Sequence, residues 1–494
     1  MLFNSYEFIF VFLPITFFIY FYLNHKRFTE ASKVFLVFSS LFFYSWWNIT
    51  YLPIILSSIL FNYIIGTSLN KEQVENHHRF SKKLLLTFGI VSNIALLSYF
   101  KYMDFFIENI NLVSGSNYNL LYLALPLAIS FFTFQQIAYL VDSYRQKIKE
   151  YNFLNYSLFV TFFPQLIAGP IVHHSEMIPQ FAKTKNKVKN YRNIAMGLFI
   201  FSIGLFKKVV IADTFAVWAT QGFDVATTLN LFEAWATSLS YTFQLYFDFS
   251  GYTDMAIGIA LLFNIKLPIN FNSPYKATSI QDFWNRWHIT LSRFVNMYIF
   301  KPIVKSYKQY TFTKGMMALF MSMVIIGFWH GSSWLFILFG AMHGIAITIN
   351  HIWKKKIKIK IHQVLGWFLT FNFVNISLIF FRAKEWDDVV KILSGMINIT
   401  ETPISKEFIN FFNYINPISI YFDKFKGVNF NTFISVNTLE MLILGFILIT
   451  YTNSNEMAKK GITFSLYILS IFSFGTALIV MSLQTGSEFL YFNF

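Results

Sequence analysis

The sequence predicts an all-α, polytopic integral membrane protein. Three observations carry that expectation. The 494 residues are 55% hydrophobic, 21% aromatic and only 13% charged, with a mean hydropathy of +0.50. One soluble core cannot use so much apolar side chain. Apolar runs recur along the chain with basic clusters at alternate ends, as cytoplasmic loops require. Met316–Asn350 runs for 35 residues without one Asp, Glu, Lys or Arg.

The charge pattern assigns each element in order. Met1–Glu7 has no basic residue, and His25-Lys26-Arg27 and Lys33 follow the first apolar run, so the N-terminus is expected outside. Phe8–Leu23 reads as a retained first span. Val34–Trp47 goes out and Tyr51–Gly66 returns to the basic inner loop Lys71–Lys83. Leu84–Phe100 goes out to a mixed outer loop with Lys101, Asp104 and Glu108, and Leu120–Val141 returns to Arg145, Lys147 and Lys149. Phe153–Val172 has basic flanks on both sides and is interrupted by Pro164, Gly169 and Pro170, so it reads as re-entrant from the inner leaflet. Asn193–Ala212 goes out, although Lys207 and Lys208 suit that end poorly. Leu231–Phe263 returns. Gln281–Pro302 mixes aromatic and basic residues at helical spacing and reads as an interfacial helix on the inner side.

Met316–Asn350 is basic at both ends, so it enters and comes back, yet it falls short of the ~40 residues two full spans need. Its turn falls at Trp329-His330-Gly331-Ser332-Ser333, which puts His330 deep in the membrane at the tip of a broken hairpin. Leu365–Phe381 then goes out. The segment 382–436 has six basic and six acidic residues and reads as an outer segment. Asn437–Thr452 returns, Lys459-Lys460 marks the inside, and Thr463–Leu483 goes out to a tail, 484–494. The sum is about eleven membrane helices plus re-entrant and interfacial helices, in a single domain over residues 1–494.

The net charge of +15 lies mostly in short loops, so it points to anionic lipid and not to nucleic acid. There is no cysteine, which excludes disulfides, thiolate metal sites and a Cys nucleophile. The ten histidines form no HExxH or similar spacing, so no metal is expected.

An ionisable group at membrane depth marks a functional site unless a neighbouring helix accounts for it. His330 is the first such group. His288, in Trp287-His288, has two readings: a second imidazole beside a proton-transfer path, or an interfacial residue packed between Trp284, Trp287 and headgroups. His343 sits among small residues and reads as helix packing. Asp248 and Asp254 lie in an apolar run and must be paired or protonated. They read as a structural brace, with Arg286 or Arg293 as candidate partners.

At these residues the chain resembles a known family. Met1-Leu2-Phe3-Asn4-Ser5, Leu125–Gln135, Phe162–Pro170, Tyr246–Asp254, Phe283–Ser292, Phe328–Gly331 and Phe381-Arg382-Ala383 occur in the order found in the membrane-bound O-acyltransferase (MBOAT) family, in its branch of bacterial alginate and peptidoglycan O-acetyltransferases. The resemblance implies a many-helix fold with funnels from both faces meeting at a histidine, here His330. His288 maps onto the family's second polar position. It further implies acetyl-CoA as a cytosolic donor substrate with no bound cofactor, an envelope polysaccharide as acceptor, and a periplasmic esterase-like O-acetyltransferase as partner. The protein is then expected in a bacterial inner membrane with both termini periplasmic. Peptidoglycan is favoured over alginate because abundant Phe, Ile, Asn and Lys suggests AT-rich coding. Arg286, Arg293 and Lys301, with the run Lys183–Arg192, are candidates to attract the phosphates of CoA; for that run ordinary positive-inside charge is the favoured reading. A transporter or flippase is the competing class, and would favour inverted repeats, which the sequence lacks.

The tail carries four aromatics among its last six residues, Phe489, Tyr491, Phe492 and Phe494. Either it lies in the outer aromatic belt or it folds back into the outer funnel. In the second reading Tyr491 supplies the tail's only phenol. The tail resembles a C-terminal tyrosine motif of envelope-acylating systems in this family, in which the tyrosine is read as an acyl shuttle.

Overall fold

The computed structural model describes residues 1–70, 78–148, 152–398, 436–459, 461, 463–483 and 489–490, and every regular element among them is helical. Eight helices are long and apolar enough to cross a membrane by length and composition: Phe8–His25, Ile49–Asn70, Ser81–Lys101, Tyr191–Val225, Phe312–His330, Trp334–Ile357, Gln363–Arg382 and Phe464–Leu483. Thr29–Ser45, Ile129–Tyr144 and Val436–Thr450 are shorter helices.

The longest unbroken α-helix, Leu231–Leu262, is buried along almost its whole length and forms the axis of the fold. It starts at a capping box: Asn230 Oδ1 accepts from the Glu233 N–H at 3.0 Å, and Glu233 Oε2 accepts from the Asn230 N–H at 3.1 Å. Its main partner is Tyr191–Val225. Both helices carry glycines seven residues apart on the facing side. A Cβ on Gly197 would lie 2.6 Å from the Gly258 carbonyl oxygen, and one on Gly204 would lie 2.6 Å from that of Gly251. The backbones therefore touch, as small residues allow in membrane helices.

That approach corrects two expectations. The outgoing helix does not stop at Ala212 but continues to Val225, so Lys207 and Lys208 lie mid-helix, in a π-turn. The partners of the buried acids are these lysines, not Arg286 or Arg293. Lys208 Nζ lies 2.7 Å from Asp248 and 2.9 Å from Asp213, and Lys207 Nζ lies 2.6 Å from Asp254. Asp254 also accepts from Ser454 Oγ at 2.5 Å, which ties the segment after Val436–Thr450 to the axis. The reading of Asp248 and Asp254 as a brace holds, with different cations.

Other boundaries shift for local reasons. The helix expected from Leu120 begins only at Ile129, since Pro126 supplies no N–H and Ala128 has φ +62°. Before it, Asp104 accepts from the N–H groups of Leu121 and Tyr122 at 2.7 and 3.0 Å. The Phe153–Val172 stretch is two short helices, Phe153–Thr161 and Phe163–Leu166, and then irregular chain, and from Tyr156 on it is enclosed by protein. Gln281–Pro302 is not one interfacial helix. It breaks at Trp287–His288, where His288 has φ +43°, and Phe283, Trp284, Trp287, Leu291 and Phe294 are buried. Of the segment 382–436, Trp386–Ile397 is a helix against the axis and 399–435 lies outside the described residues.

Breaking a buried ion pair leaves a charge without compensation, at a cost of about 3–5 kcal/mol. Lys208→Met should therefore sharply lower the melting midpoint in detergent, and Lys208→Met with Asp248→Asn should recover part of the loss. Equal midpoints for wild type and Lys208→Met would contradict the brace.

Candidate active site

The site is built at the end of a helix. Phe312–His330 stops at His330 because Gly331 is extended, with φ −166°, and Trp334–Ile352 starts the return after Ser332 and Ser333. The two arms are clamped by small residues: a Cβ on Gly327 would meet Gly340 Cα at 2.9 Å. The broken hairpin read from the sequence is present, and His330 sits at its tip, 3% exposed.

A helix terminus leaves its last carbonyls without intrahelical partners. Away from water these must be satisfied by protein. Lys101 Nζ donates to the Trp329 carbonyl at 2.6 Å and to Ser130 Oγ at 3.3 Å, and the Tyr102 hydroxyl reaches the same carbonyl at 3.4 Å. Sequence reasoning missed Lys101, which it assigned to an outer loop. Its only signal was a lysine followed by aromatic residues at the close of a span.

His330 lies 5.0 Å from the Phe381 ring and 4.9 Å from the Trp329 ring, centroid to centroid. With Trp284, Trp287, Phe339, His343 and Phe381 it lines a cavity of about 10 Å³, room for about one water. A substrate can enter only if this aromatic wall parts.

His343 is held at both nitrogens. Nδ1 accepts from Trp284 Nε1 at 3.2 Å, and Nε2 lies 2.9 Å from Ser377 Oγ, whose own proton goes to the Val374 carbonyl. Nε2 therefore donates, and His343 fixes Trp284 and the return helix, as the packing reading holds.

His288 is fully buried, which overturns its placement among headgroups. Its tautomer follows from its neighbours. Asn270 Oδ1 accepts the Thr290 N–H at 3.2 Å and the Thr290 hydroxyl at 2.8 Å, so the atom facing them is the oxygen. The same oxygen is 3.1 Å from His288 Nδ1, which must therefore donate, leaving the lone pair on Nε2. Burial pushes the His288 pKa down to about 3, so the ring is neutral at physiological pH. Thr290 Oγ1 also accepts from the Ile171 N–H at 3.0 Å, which ties this loop to the broken Phe153–Val172 stretch.

Arg286, Arg293 and Lys301 are not in the lining of the His330 cavity. Arg286 Nε is 2.9 Å from Asp282, and Arg293 holds Glu176 through two nitrogens at 2.7 and 3.0 Å. Both are thus already paired with carboxylates, and Lys301 is exposed. Tyr491 lies outside the described residues. The two described residues of the tail are inside the protein: Phe489 is buried 4.5 Å from the Tyr252 ring and 5.0 Å from Lys208 Nζ, and the Leu490 N–H donates to Asp248 at 3.1 Å. Asp248 stands one helical turn from Leu245, which lines the His330 cavity.

A helical membrane protein with a histidine sealed at the tip of a broken hairpin, bordered by aromatic rings, is equipped for proton transfer away from water. The sequence model of the membrane-bound O-acyltransferase family matches residues 10–383. The peptidoglycan O-acetyltransferase of Helicobacter pylori is 46% identical over 531 aligned positions, covering 100% of this chain and 98% of that one. A probable alginate O-acetylase of Azotobacter vinelandii is 34% identical, covering 82% and 80%, and a teichoic acid D-alanyltransferase of Streptococcus thermophilus is 28% identical, covering 52% and 68%. The chain belongs to the membrane-bound O-acyltransferase family, and it is an acyltransferase.

Removing the amine that closes the hairpin should disturb the site more than the fold. Lys101→Met should lower the rate of acyl transfer roughly tenfold, on the scale of one lost buried hydrogen bond, while Lys101→Arg keeps more of it. Full activity in Lys101→Met would show that the Trp329 carbonyl needs no amine partner.

Proposed function

We propose that this acyltransferase takes an acetyl group from cytosolic acetyl-CoA and passes it across the inner membrane for O-acetylation of an envelope polysaccharide, peptidoglycan first. The observation that carries the chemistry is His330, an imidazole buried at the hairpin tip within a nearly closed aromatic cavity. In this reading one imidazole nitrogen takes the proton of the accepting hydroxyl. The oxygen attacks the thioester carbonyl, the C–S bond breaks, and the thiolate recovers the proton from the imidazolium. A dry site favours this because no water competes for the acyl group. The neutral His288, with its lone pair on Nε2, is the second candidate base or acceptor of a hydrogen bond.

The choice of peptidoglycan is supported by the name of the relative that matches this chain end to end. Alginate or another exopolysaccharide is the second reading, supported by relatives of that name at 34% identity over 82% of the chain. A transporter of intact solute loses its ground to the family assignment. The charged positions Arg286, Arg293 and Lys301 remain candidates for the phosphates of CoA, by exchange of their carboxylates in the case of the two arginines.

For the far side we propose a periplasmic partner with a Ser-His-Asp esterase site, fed through Tyr491. A phenol with a pKa of about 10 is acidic enough to be activated by a histidine and makes an ester reactive toward a further acceptor. Tyr491 follows Leu490, whose N–H is bonded to Asp248 on the central helix.

Two measurements test this reading. Purified wild-type protein should release CoA from acetyl-CoA, and His330→Ala should slow transfer by about 10²-fold or more with its melting midpoint unchanged; wild-type rates in that variant would remove His330 from the chemistry. In cells, Tyr491→Phe should abolish polymer acetylation at normal protein level and membrane insertion, whereas normal acetylation would eliminate the shuttle.

A further inference from the structure

Two cavities outside the active site adjoin along the first helix. The first is an apolar groove of about 490 Å³ between Phe8–His25, Tyr191–Phe206 and Phe464–Leu483, lined by residues such as Leu13, Phe17, Leu198 and Phe474. The second, of about 1110 Å³, opens where the first helix ends and is lined by His25, Arg27, Lys187 and Lys189. Phe18 belongs to both linings, so the two cavities adjoin at its ring. Lys189 Nζ stands 5.2 Å above the Phe18 ring and 5.9 Å from that of Phe17, at the junction between apolar groove and basic mouth. Neither lining includes an Asp or Glu among the described residues.

We propose that the apolar groove and the basic mouth beside it form a binding site for one anionic glycerophospholipid. Charge sets the head: two lysines and an arginine face a space without acids, which suits a phosphodiester and gives a neutral zwitterionic headgroup less. Shape sets the tail: from Ile9 to Phe18 the groove follows ten residues of helix, about 13 Å, close to half of a ~30 Å hydrocarbon core. An acyl chain that enters past Phe18 fills the groove while its phosphate stays in the basic mouth beside Lys189. Tyr191, the first residue of the Tyr191–Phe206 helix, lines the mouth. The lipid therefore holds the start of the helix that carries Lys207 and Lys208 to the buried acids. This reading gives Lys187 and Lys189 to a lipid headgroup and not to the phosphates of CoA, and it does not depend on transfer at His330.

The test is native mass spectrometry of the full chain in detergent with equal phosphatidylglycerol and phosphatidylcholine. Each basic residue near a headgroup favours the anionic lipid by about fivefold, so wild type should retain phosphatidylglycerol at least about tenfold over phosphatidylcholine. Arg27→Gln/Lys187→Gln/Lys189→Gln should lose that preference. Leu198→Trp, at a half-exposed lining position, should fill the groove and reduce retention of both lipids. If the triple variant does not fold, raising salt to about 0.5 M with wild type should shrink the preference by screening. Equal retention of both lipids by wild type, a preference unchanged in the triple variant or by salt, or unaltered retention in Leu198→Trp would each overturn the site.

Discussion

The structure depends on one constraint: a helix that ends inside the membrane must have its last carbonyls bonded by protein. Phe312–His330 ends there, and Lys101 Nζ, 2.6 Å from the Trp329 carbonyl, meets the requirement. This contact fixes more than a backbone group. It holds the residue immediately before His330, and Tyr102 stacks on Phe328 at 4.3 Å, so the last turn of the helix is gripped from one side. The return helix grips it from the other through Gly327 and Gly340. The imidazole then has a defined place in a wall of rings.

A second layer keeps that wall in register. Trp284 and Trp287 come from the broken stretch that continues into His288, and both line the His330 cavity. Trp284 is bonded to His343, and His288 is bonded to Asn270. Behind them the Leu231–Leu262 helix presents Leu245 to the cavity, Asp248 to Lys208 and Leu490, and Phe249 to the His288 ring at 4.9 Å. Three consecutive functions thus share about one turn of one helix. The glycine-spaced contact with Tyr191–Val225 is what allows the lysine to reach Asp248 without solvent.

How much of this was legible depended on whether the signal was local. The hairpin could be read directly, since an uncharged stretch with Gly331, Ser332 and Ser333 at its middle has few other forms in a membrane. The brace could be read as a need, because two acids in an apolar run require partners. The partners themselves could not be identified: Lys207 and Asp254 are 47 residues apart, and positive-inside reasoning treats any lysine as a loop residue. Lys101 and Trp329, 228 residues apart, were invisible for the same reason. The interfacial helix failed differently. Its aromatic and basic spacing is truly helical, but the left-handed turn at His288 is set by Asn270 and Thr290, and it folds the aromatic face inward.

The proposed acyl transfer at His330 requires the aromatic wall to part. A structure of the protein with a non-hydrolysable thioether analogue of acetyl-CoA tests it most directly. Transfer at His330 requires the acetyl end within hydrogen-bond reach, about 3 Å, of the His330 ring, with Trp287 or Phe381 displaced to admit it. An analogue bound elsewhere, with the His330 cavity still closed at about 10 Å³, would contradict it.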